Sequence, residues 1–333
     1  MELDGIEMAG AGLCIVASDE VLEALSRIGR TEDIRFSPNQ RRLVLAGYVK
    51  NVCLILDIEV DRSAARPVIR IHDHVEIRSK SLNLPHGLDF IGEHRLVVAN
   101  RRGHLSLFNL PDSWPESRVL ELDPVREIHR ANLPEKLNAP GSLCVLRADE
   151  SEAEILVCNN YGGWITRHTV PLHPGFRLPR NSIFLRKGFD IPDGIAINPA
   201  RSWLAISNHN THSVLMFDLR VGLKPDTEAH GELSGAGYPH GIRFSPDGRR
   251  LYVADAGAPQ VRVYQSETGD WTGGLGPHQT LTVLDDETFA KGHVNPQEGG
   301  PKGLDLSHEG DLMAITCDEQ PLAFFHLPDL GAL

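Results

Sequence analysis

A short phrase returns six times along this 333-residue chain: a strand opening of the form x-x-Gly-apolar-x-apolar, a Pro-Asp-Gly-like turn, and a second apolar strand. The copies run Glu32-Asp33-Ile34-Arg35-Phe36, Pro85-His86-Gly87-Leu88-Asp89-Phe90, Pro140-Gly141-Ser142-Leu143-Cys144, Pro192-Asp193-Gly194-Ile195-Ala196-Ile197, Pro239-His240-Gly241-Ile242-Arg243-Phe244 and Pro301-Lys302-Gly303-Leu304-Asp305-Leu306. They open at Glu32, His86, Gly141, Asp193, His240 and Lys302, and subtracting those numbers gives spacings of 54, 55, 52, 47 and 62. Self-similarity at that period means one supersecondary unit per repeat.

Each copy continues into further strands, as in Arg250-Leu251-Tyr252-Val253-Ala254-Asp255 followed by Gln260-Val261-Arg262-Val263-Tyr264. Apolar and polar residues alternate with a period of two, and Asn, Asp, Gly and Pro cluster between the runs, so the unit is a meander of antiparallel strands. Six such units predict an all-β chain, a six-bladed β-propeller with four-stranded blades. Because the repeat fills the chain from about Glu32 onward, residues 1–333 are expected to form one domain.

The last copy has room for three strands, Gly303–Leu306, Asp311–Cys317 and Pro321–Leu327. The run Gly12-Leu13-Cys14-Ile15-Val16-Ala17 is the natural donor of a fourth, which would latch the N-terminus into the C-terminal blade and remove its edge. Alternatively Val21–Ile28, with helix-like spacing, covers one face while the latch is looser.

A net charge of -12 makes nucleic-acid phosphates and anionic lipid surfaces poor partners and leaves a small-molecule substrate as the expected one. No apolar stretch approaches the roughly 18 residues of a membrane helix, and Met1-Glu2-Leu3-Asp4 is acidic where a signal peptide is basic. The cytoplasm is the expected compartment. Cys14, Cys53, Cys144, Cys158 and Cys317 are scattered, mostly inside strand runs, as reduced core thiols would be.

In an antiparallel blade the start of the innermost strand and the end of the second lie at one edge, so topology gathers two sets of side chains around the channel mouth. The first set is Glu32, His86, Gly141, Asp193, His240 and Lys302; the second is Asn100, Asn159 with Asn160, Asn208, Asp255 and Asp318 with Glu319. Linkers could add Asn138, Asp190, His293 and Glu298. By blade count Glu32 faces Asp193 and His86 faces His240. Two carboxylates and two imidazoles around one axis supply the hard oxygen and borderline nitrogen ligands of a divalent metal site.

Other readings stand beside this one. Asn and Asp at strand ends commonly cap turns through backbone N–H groups, which would account for Asn100, Asn208, Asp255 and Asp318. Lys302 could neutralise Glu32 and Asp193 in place of a metal. His209 and His212, in a short connection before Val214, are expected at the surface. No Gly-x-Ser-x-Gly elbow supports a serine hydrolase.

Pro-Asp-Gly-Ile at 192–195, Pro-His-Gly-Ile-Arg-Phe-Ser-Pro-Asp-Gly-Arg-Arg-Leu-Tyr-Val-Ala-Asp at 239–255 and Ser-Asn-His-Asn-Thr-His-Ser-Val at 207–214 resemble the six-bladed propellers of the senescence-marker-protein/gluconolactonase superfamily, with kinship to NHL-repeat proteins. The resemblance implies a divalent cation at the channel mouth that polarises a lactone carbonyl, held by a Glu, two Asn and an Asp. Glu32 looks like that Glu. Asp193 stands where an Asn is expected, His240 where the Asp is expected, and Gly141 at the other Asn place. His in the ring favours Zn, Mn or Fe over Ca. The resulting expectation is a metal-dependent lactonase-like hydrolase with metal ligands Glu32, Asp193 and His240. Catalytic roles fall to Asp255 and His86, or to an unliganded His acting as general base, and substrate contacts to Asn100, Asn159, Asn208 and Lys302. A lyase or isomerase using rim histidines, and a non-catalytic binding propeller, are the alternatives.

Overall fold

The repeat grammar becomes six small sheets arranged in a ring, a six-bladed β-propeller. The structure, a computed structural model, describes residues 4–6, 12–173 and 178–331. Blade 1 runs Thr31–Phe36, Arg42–Gly47, Val52–Asp61 and Val68–Arg78 from the channel outward, and blade 2 runs Pro85–Phe90, Arg95–Asn100, His104–Asn109 and Arg126–Ile128. Pro140–Ala148, Glu152–Asn159, Trp164–Pro171 and Arg180–Leu185 form blade 3; Pro192–Ile197, Trp203–Asn208, Ser213–Asp218 and Gly231–Ser234 form blade 4, with Gly273–Leu275 added outside. Pro239–Phe244, Arg250–Asp255, Gln260–Gln265 and Gln279–Thr282 form blade 5. The expected three strands of the last copy are present as Leu304–Leu306, Leu312–Ile315 and Ala323–His326.

Period-two alternation packs blade on blade: in Arg250–Asp255, for instance, Tyr252 and Ala254 join the cluster shared with blade 6 while Leu251 and Val253 join the one shared with blade 4. The repeated glycine of the inner strand is demanded by blade spacing. A Cβ on Gly87 would collide with the backbone of Gly141 and Ser142, and one on Gly194 with the His240 carbonyl. Neighbouring inner strands are also stitched by aspartates: Asp33 accepts the Leu88 N–H at 3.1 Å, Asp89 the Val145 N–H at 2.8 Å and Asp305 the Phe36 N–H at 2.8 Å. The last bond joins the C-terminal blade to the first.

Ring closure differs from the expectation in one respect. Ile15–Ala17 does not complete the C-terminal blade; it pairs in parallel with the outer strand of blade 1, Ile15 opposite Ile69 and Ala17 opposite Ile71. Just before it, the Leu13 N–H reaches the Phe324 carbonyl of blade 6 at 2.8 Å. The eleven-residue Val68–Arg78 offers a longer ladder than the four-residue Ala323–His326. Side chains do the rest of the closing: Leu13, Ile15 and the buried face of the helix Asp19–Ile28 share one apolar cluster with Leu43 and Leu54 of blade 1 and Leu312 and Phe324 of blade 6. The helix-like spacing of Val21–Ile28 is therefore a helix. Among the described residues no helix is long and apolar enough to cross a membrane.

Candidate functional site

Five of the six inner strands break register at their first residues, between Thr31 and Ile34, Pro85 and Gly87, Pro140 and Leu143, Pro192 and Ile195, and Pro239 and Ile242. A bulge re-aims a side chain out of the ladder, and the residues within or beside these breaks are Glu32, His86, Gly141, Asp193 and His240. The break thus turns the opening residue of each repeat toward the channel axis. Three blades reach it through a left-handed residue before the proline, Leu84, Ala139 and Ile191, with φ of 57°, 52° and 55°. Proline disfavours that neighbour's compact conformations and β-branched Ile191 is rarely left-handed, so the rim backbone is strained there.

Glu32, His86, Asp193 and His240 meet at one point. His86 Nε2 lies 3.7 Å from Glu32 Oε2 and 3.9 Å from Asp193 Oδ1; His240 Nε2 lies 3.5 Å from Glu32 Oε2 and 3.1 Å from Asp193 Oδ2. All four residues are buried, and Glu32 Oε2 and Asp193 Oδ1 have no hydrogen-bond partner. The predicted facing pairs are therefore real, and the channel is narrow enough for ligands from opposite blades to converge. One ligand atom each from Glu32, His86 and His240 lies within 4.8 Å of the others, and the 3.7 and 3.5 Å gaps from Glu32 Oε2 to the two imidazoles are short enough for ligand bonds of about 2.1 Å to meet at a single ion. The buried Glu32, His86 and His240, with two orphaned carboxylate oxygens beside them, form a group that could hold a metal ion.

Glu32 divides its oxygens between two tasks. Its Oε1 accepts Arg30 Nε at 2.5 Å and faces Lys302 Nζ at 3.5 Å, while Oε2 is left for the histidines. Lys302 does pair with Glu32 as the alternative reading had it, but its nearer partners are Glu298 at 2.5 Å and Asp318 at 3.3 Å. The sixth repeat position thus neutralises the blade 6 side without occupying the point where the other four converge. The third position, Gly141, has no side chain because Asn160 sits where a Cβ would be; both polar atoms of buried Asn160 lack partners, and Asp193 Oδ1 is its neighbour there.

Electrostatics separate the two imidazoles. Burial pulls His86 down to about 3 against the pull of Asp193 and Glu32, so it is neutral with a free lone pair. His240 is buried as well, yet Asp193 and Glu32 outweigh that penalty and raise it. Burial alone would lift the Glu32 carboxyl, but Lys302, His240, His86 and Arg30 together hold it well below the usual carboxylate range. Asp193 is likewise depressed, with His240 and His86 overcoming its burial.

Four of the sequence-predicted residues serve turns instead. The Asp255 carboxylate accepts the N–H groups of Gly237 at 2.8 Å and Tyr238 at 2.9 Å and pairs with Arg262 at 3.2 Å. Asn100 accepts the Asn83 N–H, Asn159 the Asn138 N–H and Asn208 the Asp190 N–H. None of the four lines the cavity. Each is the last residue of its blade's second strand, opposite the proline that opens the inner strand, so its side chain can satisfy N–H groups of the linker that enters the inner strand.

The reverse correction applies to His209, expected at the surface. The short 3₁₀ turn His209–Thr211 folds it back so that it is buried, lines the cavity and stands edge-on to His240 with ring centroids 6.3 Å apart. His212 is exposed, as expected. The sequence reasoning also missed Arg30, Tyr48, Arg101 and Tyr161, which complete the mouth of a cavity of about 270 Å³. Arg101 was legible in principle: it directly follows the strand-end residue Asn100. Larger grooves of 720 and 810 Å³ lie on the outer surface and gather no comparable set of converging acids and imidazoles.

No protein-family model matches the chain, and no curated protein matches it. Among solved structures it is similar to a Bacteroides uniformis protein named as a candidate 6-phosphogluconolactonase, with a TM-score of 0.55 and 14% sequence identity over 85% of this chain and 77% of that one. At that identity the likeness is one of fold.

Proposed function

We propose that this propeller is a metal-dependent hydrolase acting on a small lactone or ester at the channel mouth. The observation that carries the reading is the convergence of Glu32, His86, Asp193 and His240 with two orphaned carboxylate oxygens. The lactonase name of the structural neighbour is compatible with it. A divalent ion held by Glu32, His86 and His240, with Asp193 beside them, would supply Lewis acidity to a substrate carbonyl.

The chain's own contribution is a base and a positioned charge field. His209 takes the role of the unliganded histidine: burial lowers it, so its ring is neutral at pH 7, and one ring nitrogen donates to the Pro239 carbonyl. Its buried Nδ1 has no partner and keeps a lone pair for a proton from attacking water. Ionised Asp193 faces both imidazoles and would stabilise the protonated state that follows. Lys302 and Arg30 stay paired with Glu298, Asp318 and Glu32, which fixes Glu32 without spending either cation on substrate.

The test is hydrolysis of a panel of small lactones and aryl esters by protein loaded with Zn, Mn or Fe, compared with the His209→Gln variant. Metal-dependent turnover that falls about 100-fold or more in the variant, with metal content unchanged, supports the reading. Turnover that is absent with every metal sinks it.

A further inference from the structure

The cavity holds three permanent cations, and they are not used alike. Arg30 pairs with Glu32, Glu298 and Asp318, and Lys302 with the same three acids. Arg101 forms no ion pair among the described residues, although it lines the cavity and its buried Nη1 lacks any hydrogen-bond partner. In a chain with 45 acidic residues against 33 basic ones, a half-buried guanidinium with no carboxylate at ion-pair distance, although its charge helps hold Asp193 ionised, has room for an anion of its own.

Its surroundings are built to hold it still. The Arg101 N–H is tied to the Leu84 carbonyl at 2.9 Å, and its guanidinium lies over the Tyr161 ring at 5.1 Å from the centroid. Stacking leaves the edge of the fork free, and an arginine fork matches carboxylate and phosphate oxygens in pairs. Tyr48 and Tyr161, which share the cavity mouth with it, add hydroxyl groups. Arg101 comes from blade 2, whereas Glu298 and Asp318 belong to the blade 6 side, so the cavity has one cationic wall and one neutralised wall.

We propose that Arg101 is an anion-binding subsite and that the substrate of this cavity carries a carboxylate or phosphate group. The anion docks on Arg101 with Tyr161 beneath the guanidinium, while the rest of a molecule small enough for about 270 Å³ extends toward Glu32, His86, Asp193 and His240. As a statement about substrate this rests on the hydrolase reading; as a statement about anion binding it does not.

The experiment separates the two. Metal-free protein is titrated with inorganic phosphate and, separately, with lactate, in the parent and in the Arg101→Gln and Arg102→Gln variants, Arg102 being an exposed neighbour outside the cavity lining. Saturable binding of either anion that weakens about tenfold or more in Arg101→Gln and is unchanged in Arg102→Gln is the expected result, since hydrogen bonds to charged groups carry that much. The tighter of the two probes identifies the acid group. Binding that is undetectable for both, or equal in parent and Arg101→Gln, overturns the subsite. With metal-loaded protein, Arg101→Gln should raise KM for a lactone bearing an acidic substituent and leave KM for its neutral analogue unchanged. An equal effect on both lactones overturns the substrate assignment. Failure of all lactone turnover, with anion titration intact, defeats the hydrolase reading alone.

Discussion

The rings of His86 and His240 stack across the channel with centroids 5.4 Å apart and 23° between their planes, and both direct Nε2 toward the same oxygen of Glu32. Two imidazoles from blades 2 and 5, held face to face, can close on one ion only if the carboxylate between them keeps its charge. Replacing Glu32 by Gln preserves shape and removes that charge. Elemental mass spectrometry on tag-free protein should find near-stoichiometric metal in the parent and at least a tenfold lower content in Glu32→Gln and His240→Ala. Equal metal in parent and variants would place the ion elsewhere.

Lys302 is buried with Glu32, Glu298 and Asp318 around its ammonium. A Lys302→Met variant leaves those three carboxylates with Arg30 alone, and breaking a buried pair in this way costs roughly 3–5 kcal/mol. Asp318, already raised by burial against Lys302 and Arg30, would rise further. Protonation relieves the repulsion, so the deficit relative to the parent should be larger at pH 8 than at pH 5, as read from urea unfolding. A deficit independent of pH would contradict the account.

Acid sensitivity should come in part from a histidine outside the cavity. His168 is fully buried between Asn181 and Thr166, at 2.9 and 2.8 Å, and burial pulls it from 6.5 down to about 4. Below pH 6.5 the unfolded chain takes up a proton that the folded one refuses until about 4, so this group's stability is complete above 6.5 and lost as pH falls through that window. Between pH 7 and pH 5 the loss is on the order of 2 kcal/mol. Asp89, pushed up to about 6 by burial, acts with the opposite sign, so the measurement is the difference between parent and His168→Gln. The parent's stability advantage over the variant should shrink by about 2 kcal/mol from pH 7 to pH 5; parallel curves would refute it.

Gly194→Ala should destabilise strongly because the added methyl meets the His240 carbonyl of the adjacent inner strand, backbone that cannot swing away. Overpacking of this kind costs about 1–3 kcal/mol. Gly92→Ala offers a contrast, since nothing lies within 4 Å of a Cβ there and the penalty is its left-handed φ of 60°. A lower melting temperature for Gly194→Ala than for Gly92→Ala, together with lost metal affinity, is expected, because Gly194 follows Asp193 and precedes the strand contact that aims it.

The repeat by itself determined the fold, the blade count, the six inner-strand openings and the pairing of His86 with His240 and Glu32 with Asp193, because strand alternation and blade order are one-dimensional properties. It could not decide the fate of strand-end residues. Asp255, Asn100, Asn159 and Asn208 occupy the same topological edge as the site, but the N–H groups of the linker entering each inner strand claim them. His209, three residues from the surface histidine His212, entered the cavity only through a 3₁₀ turn. The N-terminal strand chose the longer edge of blade 1 over the short edge of blade 6. Each of these outcomes depends on which polar group or edge remains unpaired after the blades close, and that is settled by contacts between residues far apart in the chain.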